Sequence, residues 1–354
     1  MKIVLVCPSN ILFMPYVYSY EKILRENKID YTIINWDRLR IEDEGDINTF
    51  WDKKRGHQRD YYDYLKYRTF VIQKLNENRF DKVIVFGLQL AFFLGKYLRK
   101  YYQGSYLIDI RDHHRIIDFF SMKRTIKGSQ FTVISSPGYK QFLPRGVKYV
   151  VNHNTEVDSL ECLSERNVSF NKRKIRIACI GALRDFESSE LFINTLKNNQ
   201  KFELLFHGEG DINRSIQDLI ENNNINNVFL TGRYLKEQEE ELYLNSDLIN
   251  IIYVNHGIDN KTFLPNRLYN AVKYKKPMIA VSESYLSEII KKYRIGLVID
   301  SMDQLENSLI HYIETFDETE YEKGARAFLE DVISENANFN NNLQLFCQLE
   351  KSLV

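Results

Sequence analysis

A chain of 354 residues, 44% hydrophobic and 13% aromatic, is long enough for two domains of ordinary size and too apolar to remain disordered. Lys+Arg and Asp+Glu balance at 48 each, and the resulting pI of 7.1 argues against nucleic acid as a partner. No apolar run approaches the roughly 18 residues needed to cross a bilayer, and Cys7, Cys162, Cys179 and Cys347 show neither metal-type nor disulfide-type spacing, so a reducing, cytoplasmic setting is expected.

The chain opens directly on Lys2-Ile3-Val4-Leu5-Val6-Cys7, the pattern of a buried strand rather than of a signal peptide. Similar short Val/Ile-rich runs predict strands at 31–35, 82–87, 105–110, 131–135 and 149–152, each separated by helix-length segments. Residues 156–173 are polar and end in Asn171-Lys172-Arg173, which predicts a linker. The alternation then restarts with strands at 175–180, 203–206, 228–231, 248–253, 278–281 and 296–299. Residues 318–354 read as helical throughout. Strands alternating with helices imply parallel sheets covered on both faces. The expected fold is therefore α/β, with two Rossmann-like, doubly wound domains at 1–155 and 174–335 and a cleft between them. A helical C-terminus, 336–354, is expected to pack back on the first domain.

Charge divides along the same line. Residues 1–155 hold 26 Lys+Arg against 16 Asp+Glu, and residues 156–354 hold 22 against 32. The basic half interleaves cations with rings, as in Trp51-Asp52-Lys53-Lys54-Arg55 and Gly95-Lys96-Tyr97-Leu98-Arg99-Lys100-Tyr101-Tyr102. Such a surface suits the anionic cytoplasmic leaflet, where each cation contributes about 1 kcal/mol, and equally suits a solvated helix face.

The most informative segment is Pro265-Asn266-Arg267-Leu268-Tyr269-Asn270-Ala271-Val272-Lys273-Tyr274-Lys275-Lys276-Pro277. Pro265 fits the first position of a helix, Leu268, Ala271 and Val272 mark one buried face, and Pro277 stops the helix before the next strand. A helix start beyond a strand's C-terminal end turns backbone N–H groups and a partial positive charge towards a crevice where anions bind, and Arg267 adds a cation there. This run resembles the signature Pro-x-Lys-Leu-aromatic-Glu-aromatic-x-x-x-Gly-Lys-Pro of glycosyltransferases of the GT-B fold, especially the family-4-like group that includes enzymes of bacterial capsule and surface-polysaccharide synthesis. Asn270 stands where that family has a ribose-binding Glu, and Lys275 where it has Gly. Gly181-Ala182-Leu183-Arg184, Gly208-Glu209-Gly210, Thr231-Gly232-Arg233 and Tyr243-Leu244-Asn245-Ser246-Asp247 resemble further elements of the same family.

That resemblance implies a donor site at Gly181, Arg184, Gly208, Gly232, Arg233, Arg267, Leu268 and Asn270, with Lys261 as a further cation. Transfer from a nucleotide-sugar leaves charge on a diphosphate, which cations and helix N-termini neutralise when no metal does; Arg is suited to it because its planar fork binds phosphate bidentately. An amide offers one acceptor oxygen where a carboxylate offers two, so three outcomes are open at Asn270: the donor binds less tightly, another carboxylate such as Asp259 or Glu283 substitutes, or the site no longer binds a nucleotide-sugar. On the acceptor side the expected catalytic residues are Asp112 and His113, with Asp259 or the backbone near Gly257 at the donor sugar. Ser9, Asn10 and Arg111 are expected to place the acceptor, while an ion pair among Asp109, Arg111 and Asp112 is the structural alternative. His153 and His207 read as satisfied structural histidines. No metal site and no cofactor are expected, since no Asp-x-Asp pair occurs in a suitable loop and Asp43-Glu44-Gly45-Asp46 reads as a solvated turn.

The function expected on these grounds is a metal-independent, retaining hexosyltransferase that uses a nucleoside diphosphate sugar, UDP-type rather than GDP-type. Its acceptor would be a lipid-linked or other oligosaccharide, met at the inner face of the plasma membrane through the basic first domain, with no nucleic acid involved. The rivals are a non-catalytic glycosyltransferase-like scaffold and a nucleotide-sugar 2-epimerase of the same fold.

Overall fold

The computed structural model describes residues 1–42, 45–170, 174–255 and 257–348. Asp43 and Glu44 of the acidic turn, residues 171–173 of the expected linker, His256 and residues 349–354 of the expected helix lie outside the described residues. The chain forms two compact units, one comprising 1–153 with 335–354 and the other 154–334.

Unit 1 is built on a parallel sheet of seven strands: β1 (Lys2–Val6), β2 (Asp30–Trp36), β3 (Thr49–Phe50), β4 (Lys82–Phe86), β5 (Tyr106–Ile110), β6 (Thr132–Ile134) and β7 (Tyr149–Val151), in the order β3-β2-β1-β4-β5-β6-β7. Ile3, Val4, Leu5 and Val6 of β1 are fully buried, as are Val83 to Phe86 of β4, because helices cover both faces of the sheet. The C-terminal residues Phe339, Leu343, Phe346 and Cys347 complete one side of this core against Ile3, Leu5, Leu107 and Phe131. The two-residue strand β3 was not expected; it extends the edge of the sheet through Asn35 and Trp36 out of an otherwise polar loop.

Unit 2 repeats the plan with six parallel strands: β8 (Ile175–Ile180), β9 (Phe202–His207), β10 (Val228–Gly232), β11 (Leu248–Asn250), β12 (Met278–Val281) and β13 (Gly296–Ile299), in the order β10-β9-β8-β11-β12-β13. The order reverses direction between β8 and β11, so the loops after these two strands diverge to opposite faces and leave a crevice at their carboxyl ends. Residues 156–170, expected to be a linker, instead pack along this unit. Val157 is buried and Leu160, Cys162, Leu163 and Val168 lie against the core, while the Ser164 amide donates to the Lys273 carbonyl at 2.8 Å.

The segment after β11 folds as a helix over Asn266–Lys273, one residue later than expected, with Pro265 at the N-cap. Leu268, Tyr269, Ala271 and Val272 are fully buried beneath it. At its end Lys275 takes a left-handed conformation, φ 51°, at the position where the resembling family has Gly. A side chain there costs roughly 1–2 kcal/mol, offset in part by the Lys275 ammonium, which donates to the Glu322 carboxylate.

Candidate functional site

β8 delivers the chain to Gly181, whose amide donates to the His207 carbonyl at 2.9 Å. The turn after β9 crosses it closely: a Cβ on Gly208 (φ +139°) would stand 1.9 Å from the Gly181 oxygen. Glycine at 208 is thus required by contact between two backbones, and it sets the position of the 181–184 loop. Beyond that loop begins the Phe186–Leu196 helix, capped by Asp185, which accepts from the Ser188 amide at 3.1 Å. The start of the Asn266–Lys273 helix faces the same space.

Between these elements lies a cavity of about 850 Å³ whose lining includes Gly181, Arg184, Glu239, Asn250, Arg267 and Asn270. Arg267 spans its floor. One terminal nitrogen donates to the Cys179 sulfur at 3.0 Å and to the Asn250 carbonyl at 3.2 Å, and the other reaches the Ala182 carbonyl at 3.5 Å. These contacts aim the guanidinium without neutralising it, since no carboxylate pairs with Arg267 among the described residues. Arg184 is exposed and likewise forms no ion pair with Asp185 or Glu187 among the described residues. Two cations and two helix N-termini, each the seat of roughly half a positive charge, therefore border one cavity together with the carboxylates Asp185, Glu187 and Glu239.

Glu239 occupies the other side, on the Glu239–Leu244 helix. Its carboxylate accepts from the Asn270 side-chain amide at 3.3 Å, from the Tyr234 hydroxyl at 3.4 Å and from Lys236 at 2.7 Å. Burial, reinforced by the Glu239 charge, pushes the Tyr234 phenol up to about 12, so the hydroxyl remains a donor at neutral pH. Sequence reasoning passed over Glu239 because it sits in Lys236-Glu237-Gln238-Glu239-Glu240-Glu241, a run that reads as a solvated helix face. The carboxylates weighed as substitutes, Asp259 and Glu283, do not line the cavity; the Ile258–Thr262 helix that bears Asp259 contributes Asn260 instead.

Other expected residues fall in three places. Gly208, Gly232 and Arg233 stand beside the cavity rather than in its lining. Leu268, expected at the donor, is fully buried in the core of unit 2, where it anchors the helix that carries Arg267. In unit 1, Asn10 and Arg111 both make internal hydrogen bonds. The Asn10 amide donates to Asp37 at 2.6 Å and Glu42 at 3.1 Å, and its oxygen accepts from the Arg38 and Leu39 amides at 3.1 and 3.3 Å, so all four of its hydrogen-bonding positions are taken. Arg111 forms a buried bidentate pair with Asp109 at 2.6 and 2.7 Å and donates to the Asn152 carbonyl at 2.9 Å. The Tyr20 hydroxyl adds a third donor to Asp109 at 2.5 Å. Ser9 is half-buried in the turn after β1, and Asp112 is exposed. His113 bonds Asp118 at 3.0 Å with its ring against Phe142.

The remaining histidines named above each have a hydrogen-bond partner. His153 bonds Glu335 at 2.5 Å. His207 bonds the Thr231 hydroxyl at 2.8 Å, and burial holds its imidazole below the ordinary value. No group of three His, Cys, Asp or Glu that could hold a metal ion occurs among the described residues, and no helix among them is long and apolar enough to cross a membrane.

Two doubly wound units, the second with a crevice at its strand reversal, define the GT-B architecture, and comparison with solved structures agrees. Sucrose-phosphate synthase from Thermosynechococcus elongatus superposes with a TM-score of 0.69 at 12% identity, covering 98% of this chain and 99% of that one. The lipopolysaccharide outer core galactosyltransferase WaaB, in its apo form, gives 0.65 at 15% identity over 97% and 100%. Anabaena Alr3699/HepE, in complex with UDP and glucose, gives 0.62 at 13% identity over 98% and 100%. None of the curated proteins compared with the chain matches it in sequence. Residues 164–326, however, match the family model of glycosyl transferases group 1. The matched residues lie within the second unit.

Proposed function

We propose that this protein is a glycosyltransferase that moves a hexose from a UDP-type nucleotide-sugar to a saccharide acceptor, lipid-linked and belonging to a surface or capsular polysaccharide. The observation that carries the reading is the convergence of Arg267, Arg184 and two helix starts on one cavity, with no carboxylate neutralising either cation among the described residues. In the transfer, the bond from the sugar's anomeric carbon to the diphosphate oxygen breaks and the diphosphate keeps the electron pair. The acceptor oxygen bonds to the same carbon on the retained face and gives its proton to the departing diphosphate oxygen. Charge grows on the leaving diphosphate, where Arg267, Arg184 and the helix N-termini stabilise it without a metal ion. Hexose donors, retention and the inner face of the plasma membrane as the working place belong to this proposal, and the UDP and glucose of the Anabaena structure lend it support.

Glu239 and Asn270 together provide the ribose contact on this reading. The carboxylate accepts from one hydroxyl and the amide oxygen from the other, which offsets the exchange of Glu for Asn at 270. A scaffold without activity would need neither. The test is release of UDP from a panel of UDP-hexoses, with Glu239→Gln as the variant. Loss of one acceptor from a hydroxyl costs about 1–3 kcal/mol, so KM for the donor should rise roughly tenfold or more. No UDP release with any donor, in the presence of saccharide acceptors, would refute the reading.

A further inference from the structure

One face of unit 1 joins aromatic rings to unopposed cations. The Tyr61–Asn78 and Leu88–Tyr101 helices and the end of the Ile116–Phe119 helix present a continuous row: Tyr62 stands 5.9 Å from Tyr61, Tyr61 5.1 Å from Phe93, Phe93 5.3 Å from Phe92, and Phe92 4.9 Å from Phe120. The row surfaces at both ends, with Tyr62 72%, Phe119 78% and Phe120 52% exposed. Phe119 and Phe120 are wholly apolar and adjacent, and large exposed apolar side chains gathered in one place mark an interaction site.

Exposed cations flank these rings along the chain. Lys96 is exposed one turn beyond Phe92 on the same helix face. Lys123, Arg124 and Lys127 project from the Lys123–Gly128 helix, whose Thr125 and Ile126 are buried inward; Arg99 ties that helix to its neighbour through the Thr125 hydroxyl at 2.5 Å. Residues 82–108 and 119–155 hold four and six Lys/Arg and no Asp or Glu. The acids at the margin are already engaged, Asp118 by His113 at 3.0 Å and Asp60 and Asp63 by Lys54 at 2.8 and 2.5 Å.

We infer that this face docks on an anionic lipid bilayer, with Phe119, Phe120 and Tyr62 entering the headgroup layer and Lys96, Lys123, Arg124 and Lys127 meeting lipid phosphates. Rings favour the membrane interface, and basic residues beside it are drawn to anionic leaflets. Nucleic acid fits less well, because the rings pack on one another at tilts such as 85° and 53° instead of standing apart as platforms for bases. The inference deepens the proposed function and rests on it for its purpose, since a bilayer surface is where a lipid-linked acceptor is met.

The test is flotation of the full chain with vesicles of phosphatidylcholine, alone or mixed with phosphatidylglycerol, at low and high salt. The UDP-induced rise in melting temperature is read on the same samples. The protein should float only with the mixed vesicles and lose binding at high salt. Lys96→Glu/Lys123→Glu/Arg124→Glu should weaken binding by about tenfold or more, and Phe119→Ser/Phe120→Ser should release the protein while leaving its melting temperature in place. All variants should keep the response to UDP, so vesicle binding without that response would indict the donor site and not this face. The inference is overturned if the wild type does not float, if it floats equally with both vesicles, or if either variant binds as the wild type does. A retained complex with RNA, or self-association that Phe119→Ser abolishes, in place of flotation would assign the face to those partners and overturn it equally.

Discussion

Replacing Gly208 by alanine tests how the cavity is built, because two separate penalties can be worked from its surroundings. The residue holds φ at +139°, and a Cβ would lie 1.9 Å from the Gly181 oxygen and 2.8 Å from its carbonyl carbon. The backbone conformation alone, outside the left-handed helical region, costs about 1–3 kcal/mol for an L-residue. The clash adds about 1–3 kcal/mol, since both obstructing atoms belong to the main chain and no side chain can rotate away. The loop must then retreat by more than an ångström, carrying Arg184 with it. Gly232 supplies the control: its φ is +75°, but nothing lies within 4 Å of its Cβ position, so Gly232→Ala should incur only the first penalty. Both tryptophans, Trp36 and Trp51, lie in unit 1, so urea unfolding of unit 2 is better followed by hydrogen exchange of the β8 and β9 amides. Gly208→Ala should be less stable than Gly232→Ala by about 1–3 kcal/mol and should bind UDP more weakly. Equal stability of the two variants would refute the account of this turn.

Two further substitutions probe buried polar groups. Asp109→Asn leaves Arg111 charged and 9% exposed without its bidentate partner, so unit 1 should lose about 3–5 kcal/mol in urea unfolding; a loss below about 1 kcal/mol would show that the pair is not the fixed element described. His207 is held neutral by burial, with its pKa lowered in the folded state. The unfolded chain then binds the extra proton, so stability contributed by the neutral ring is complete above the unfolded value of about 6.5 and declines as pH falls below it. His207→Gln should flatten the pH dependence of unit 2 stability in that range, and an unchanged profile would point to another group.

How far the sequence discloses this molecule depends on whether a residue acts locally. The twelve expected strands are found because each is a short apolar run buried on both faces of a parallel sheet, a signal that needs no tertiary information. Strand β3 escaped notice because Thr49 and Phe50 are held at the sheet edge by partners Asn35 and Trp36, not by any pattern of their own. Gly181, Arg184, Arg267 and Asn270 meet in one cavity because each follows a strand end at the reversal of strand order, which topology dictates once the strands are known. Asn10 and Arg111 also follow strand ends, yet their partners Asp37 and Asp109 turn them inward, and no spacing rule reveals that. Glu239 shows the opposite failure. Its neighbours in sequence disguise it as a surface acid, and only the fold sets it 3.3 Å from the amide of Asn270.

The central claim is a nucleotide diphosphate site organised by Arg267, and calorimetric titration of UDP into the wild type and Arg267→Ala tests it most directly. A hydrogen bond to a charged group contributes about 1.5–3 kcal/mol, so the variant should bind roughly tenfold to a hundredfold more weakly while its melting temperature without ligand stays close to that of the wild type. Absence of UDP binding to the wild type, or equal affinity in the two proteins, would contradict the account.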